Sequence, residues 1–70
     1  MIKIALRKGG RLWELFHCDG EGTVRLGRGS VSYSFADDQF RIRDLEGNEV
    51  HLTGNGAGAE QWLRRRGWIR

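Results

Sequence analysis

Seventy residues with eleven glycines, no proline and a single cysteine admit one small domain and exclude an intramolecular disulfide framework. The net charge of +3 is modest, but ten of the twelve basic residues are arginine, whose planar fork suits phosphate and carboxylate and points to an anionic partner. No apolar run reaches membrane-spanning length, no secretory leader opens the chain, and a lone cysteine fits a reducing compartment, so a cytoplasmic protein with no membrane partner is expected.

Taken in order, runs of β-forming residues alternate with glycine-containing turns at near-regular spacing, the pattern of an antiparallel meander. Six strands are predicted: Ile2 to Lys8, Arg11 to Cys18, Thr23 to Leu26, Val31 to Phe35, Gln39 to Leu45, and Glu49 to Thr53. The turns between them fall at Gly9-Gly10, Asp19 to Gly22, Gly27 to Ser30, Ala36 to Asp38, and Glu46 to Asn48.

Side chains alternate faces along a strand, so paired strands must agree on which residues point inward. Setting Leu6 opposite Trp13, Leu15 opposite Leu26, Leu26 opposite Val31, Phe35 opposite Phe40 and Ile42 opposite Leu52 keeps one inner face throughout. That face comprises Ile2, Ile4, Leu6, Trp13, Leu15, Val24, Leu26, Val31, Tyr33, Phe35, Phe40, Ile42, Val50 and Leu52. His17 lies at its edge as a core histidine.

After the last strand the period changes. Ala59, Trp62 and Leu63 stand at i, i+3 and i+4 and mark one apolar stripe of a helix. Arg64, Arg65 and Arg66 fill its last turn, where cations complement the dipole. Gly67 suits the left-handed residue of a Schellman cap, with Trp68 folding back on Leu63. A helix this short requires docking on the sheet. The expected fold is therefore α+β, mainly β: a six-stranded antiparallel meander, curved or closed into a small barrel, with one C-terminal helix packed on it. Residues 1–70 form a single domain.

The same register assigns the opposite face. One outward row reads Lys3, Phe16, Arg25, Ser32, Arg43, His51, and its neighbour reads Cys18, Thr23, Ser34, Arg41, Thr53. Arginines interleaved with hydroxyls, plus one aromatic ring, resemble in kind the surfaces that hold nucleic acid. Leu12, Phe16 and Cys18 on that side form an apolar patch suited instead to another protein or to a second subunit.

Gly54-Asn55-Gly56-Ala57-Gly58-Ala59 matches the dinucleotide pattern G-x-G-x-x-[GA] between a strand and a helix. No further strand follows, so the segment reads as a helix entry with Asn55 or a glycine as N-cap. His17 and Cys18 are neighbours on one strand and point to opposite faces, which is unsuited to a shared metal. Ser30, Ser32 and Ser34 lack a nucleophile elbow. No enzyme activity, cofactor or metal is expected.

The expected function is a non-catalytic binding module that docks on nucleic acid or a nucleoprotein complex. Lys3, Arg25, Arg41 and Arg43 form its contact face, Phe16 is its apolar anchor, and Arg64 and Arg65 make a second basic patch. The competing expectation is a small protein-binding inhibitor or accessory protein, of the size and style found in phage and mobile elements. A homo-oligomeric assembly subunit is a third; the chain is expected to be a monomer or a small homo-oligomer.

Overall fold

The computed structural model describes Leu12, Phe16, Cys18, Asp19 and residues 22–70. Four strands, β1 (Thr23–Leu26), β2 (Gly29–Ser34), β3 (Gln39–Asp44) and β4 (Glu49–Thr53), form one antiparallel sheet in the order β1-β2-β3-β4. A single helix, α1 (Gly56–Arg65), follows and packs over β3 and β4. The α+β class and the C-terminal helix thus stand as expected; the described residues form four strands in one open sheet, and the expected six strands and closed barrel are not seen among them.

The first expected strand, residues 2–8, lies outside the described residues. The second is corrected where it is described. Leu12 is helical, and the Phe16 amide donates to the Leu12 carbonyl at 2.9 Å, the i→i−4 bond of a helical turn. Leu12, Leu15 and Phe16 stand at i, i+3 and i+4 in the sequence, a helical spacing that the alternation reading passed over. Among the described residues of this stretch, Cys18 alone makes a β contact, an isolated antiparallel bridge to Val24.

Turn chemistry sets the register of the sheet. Gly27 and Arg28 alone close the first hairpin, so Val24 pairs with Val31 and Leu26 with Gly29. Phe35 to Asp38 close the second, so Tyr33 pairs with Phe40 and Val31 with Ile42. Both hairpins differ from the expected pairing by two residues in the sum of partners. A shift of two leaves every side chain on its face. Val24, Val31, Phe40 and Ile42 are buried as expected, with Leu26 and Tyr33 packed beside them. Phe35 is the exception: it falls in the loop and is 70% exposed, its ring edge-on to Tyr33.

β4 breaks the pattern. Asp44 closes the third turn, its carboxylate accepting the Glu46 and Asn48 amides at 3.0 and 2.9 Å, while Gly47 takes φ 87°. The Asn48 amide is the chief cause holding the Asp44 carboxyl below its ordinary range. Arg43 then pairs with Glu49, but Ile42 pairs with His51 across a bulge at Val50. One extra residue reverses the faces of everything after it. His51 turns inward and stacks on Trp62 at 5.2 Å, while Val50 and Leu52, assigned to the core by alternation, are 42% and 46% exposed.

The helix closes the inner face. Asn55 caps its N-terminus by accepting the Gly58 amide. Ala59 and Leu63 are fully buried, and Trp62 is half-buried between His51 and the edge of Trp68. At the C-terminus the Trp68 amide bonds the Leu63 carbonyl at 2.9 Å and the Gly67 amide bonds that of Arg64 at 3.1 Å, with Gly67 at φ 74°. That is the Schellman geometry Gly67 announces. Leu12, Cys18 and Ile69 complete the core, none of them expected there.

Candidate interface on the outer sheet face

Two cross-strand rows make the solvent side of the sheet. The first runs Arg25, Ser30, Arg43, Glu49 and the second Thr23, Ser32, Arg41, Leu52. Arg25, Arg41 and Arg43 therefore share the face that alternation assigned to them, although Ser30 rather than Ser32 separates Arg25 from Arg43. Neighbouring strands lie about 4.8 Å apart, which sets Arg25 and Arg43 roughly 10 Å apart along the row.

Their electrostatic states differ. The Arg41 side chain is clasped on two sides, by Asp37 through paired hydrogen bonds and by Glu49 at 3.3 Å. The Arg41 guanidinium holds the Asp37 carboxyl below its usual range. Arg25 extends into solvent, 3.8 Å from Asp19. Arg43 donates to the Ser32 hydroxyl at 3.0 Å and makes no salt bridge among the described residues. The face is thus a mixture of cations and carboxylates, with Leu52 beside Arg41 at its edge.

The expected apolar anchor is not on this face. Phe16 packs against the hydrophobic core, and Leu12 and Cys18 are buried at 2% and 5% exposure. The helical turn explains it, since residues four apart on a turn share a side and both Leu12 and Phe16 meet the core. With them goes the expected outward Leu12-Phe16-Cys18 patch. Burial, and then the charge of Asp19, push the Cys18 thiol up, away from a reactive thiolate. Lys3 lies outside the described residues.

Arg64 and Arg65, the expected second basic patch, sit on the exposed side of α1. Arg64 pairs with Glu60 at 3.2 Å and donates to the backbone carbonyl of Arg70. A shallow groove lined by Asn55, Ala57, Gly58, Glu60, Gln61, Arg64 and Arg65 runs along that side. At its N-terminal end the Gly58 amide, which an anion cradle would use, is taken by Asn55.

Leu52 and Val50 are the surface residues that alternation missed, because a bulge leaves no trace in the apolar pattern. Turn chemistry places the loop, with Asp44 three residues before Gly47, but carries no sign of the bulge that follows it. Among the described residues no three His, Cys, Asp or Glu side chains gather as a metal site, and no helix is long and apolar enough to cross a membrane. No known protein family, characterised protein sequence or solved structure matches the chain.

Proposed function

We propose that this chain is a non-catalytic binding module that docks on a protein partner through the outer face of its sheet, as an accessory or inhibitory subunit. The observation that carries the proposal is the reversal of β4, which leaves Leu52 and Val50 exposed beside Arg41, Arg43 and Glu49. Exposed aliphatic side chains set among arginines and carboxylates have the make-up of a protein interface, where arginine is enriched and apolar contacts are enclosed by a polar rim. A groove for single-stranded nucleic acid calls instead for continuous positive charge and stacking rings. Here carboxylates stand beside Arg25 and Arg41, and Phe16 is taken by the core.

The test is affinity capture from nuclease-treated lysate of the source cells. The wild-type chain should retain one protein that both Leu52→Glu and Arg43→Gln fail to retain, with little change in either variant's thermal melt, since surface substitutions shift stability by about 0.5 kcal/mol or less. Retention of the same protein by both variants contradicts the proposal.

A further inference from the structure

A second surface, separate from the sheet face, is assembled at one end of the molecule. A Cβ built on Gly29 would lie 2.8 Å from Cζ3 of Trp68, which places Trp68 against the residue that follows Arg28 in the first hairpin turn. Arg66 precedes Trp68 by two residues, and its guanidinium lies 5.0 Å over the ring of Trp62. Arg70 follows by two and is tied back to the helix by the hydrogen bond from Arg64. The packing of one tryptophan on one glycine therefore brings Arg28, distant from Trp68 in the chain, to the same end as Arg64, Arg65, Arg66 and Arg70. All of these arginines are exposed.

Carboxylates stand at both ends of the sheet. Asp37 and Asp38 lie in the loop between β2 and β3, and Asp19 takes the Thr23 amide at 3.0 Å at the start of β1, all at the opposite end of the sheet. At the arginine end stand Asp44 and Glu46 of the third turn and Glu49 at the start of β4, with the Asp44 carboxylate committed to the turn amides and Glu49 paired with Arg41. Glu60 answers Arg64. Among the described residues Arg28, Arg65, Arg66 and Arg70 form no salt bridge. Dipole compensation accounts for Arg64 and Arg65 in the last helical turn. It does not account for Arg28, which belongs to the hairpin.

We propose that this arginine end binds the phosphate backbone of nucleic acid. Unpaired guanidinium groups spread over a hairpin turn, a helix end and the segment after it match a repeating row of phosphates, whereas a single small anion would need them to converge on one pocket. The residues differ from those of the sheet face, so the inference stands independently of the protein-docking reading. Together the two surfaces describe a module that meets a nucleoprotein complex on both components.

Fluorescence anisotropy with a labelled DNA duplex tests it. With about four phosphates contacted, affinity should fall roughly 100-fold between 50 and 200 mM salt. Arg28→Glu and Arg65→Glu should each weaken binding several-fold and lower the salt slope by about one. Both residues are exposed, so both variants should melt close to wild type. Arg25→Glu, on the sheet face, should leave duplex binding unchanged. The proposal is overturned by absence of binding at 50 mM salt, by indifference to both end variants, or by polyglutamate competing as well as the duplex does.

Discussion

Gly29→Ala is expected to unfold a large fraction of the protein at physiological temperature. The new methyl would stand 2.0 Å from the backbone carbonyl oxygen of Arg43 and 2.8 Å from the Trp68 ring. A flexible side chain could swing aside, but a carbonyl locked in the β2–β3 ladder cannot. Overpacking costs about 1–3 kcal/mol where neighbours yield, and this site should reach or exceed the upper end. A chain of this length has a total stability of roughly 3–10 kcal/mol. A loss of about 3 kcal/mol lowers the midpoint by roughly 12–24 °C in a domain of this size. Thermal denaturation followed by circular dichroism checks it; a midpoint within a few degrees of wild type would show that Trp68 does not close on this strand. The variant also loosens the arginine end, because Trp68 is the contact that brings Arg66 and Arg70 to Arg28.

Leu63→Ala is expected to be comparably damaging. Leu63 is fully buried in the cluster with Ala59, Phe40 and Ile42, and its carbonyl also anchors the Trp68 amide. Removing its side chain leaves a cavity under α1, at about 2–5 kcal/mol. The backbone bond to Trp68 survives in the variant, so the loss reports packing alone. Chemical denaturation should show a lower midpoint with an unchanged slope. A loss below about 1 kcal/mol would place Leu63 outside the core. Trp62, half-buried under Arg66, shares that load with its neighbours, which makes Leu63 the sharper probe.

These two residues also show what the chain reveals before it folds. Leu63 was legible: the spacing of Ala59, Trp62 and Leu63, and Gly67 after the arginines, determine the helix stripe and its cap by local geometry alone. Gly29 was not. Read as part of a four-residue turn, it gave no sign that a tryptophan near the other end of the chain would need its missing Cβ.

Within the sheet, alternation constrains parity but not register. Two hairpins slid by two residues at no cost to the inner face, so Val24, Val31, Phe40 and Ile42 were placed correctly with the wrong partners. A bulge changes parity, and so His51, Val50 and Leu52 were misplaced while Arg41 and Arg43 on β3 were not. Leu12 and Phe16 failed for a different reason. A stretch with apolar residues at both i+2 and i+4 spacings satisfies either period, and the helical turn prevailed. The arginine end depends on long-range packing and had no sequence signature beyond its two separate pieces.

The reversal of β4 carries the proposed outer-face interface, and proton–proton NOE spectroscopy measures that reversal directly. The account predicts cross-peaks between the His51 and Trp62 rings and none from the Leu52 methyls to the Ile42 side chain or to Trp62. Strong Leu52 contacts with Ile42, and a solvent-exposed His51, would contradict it.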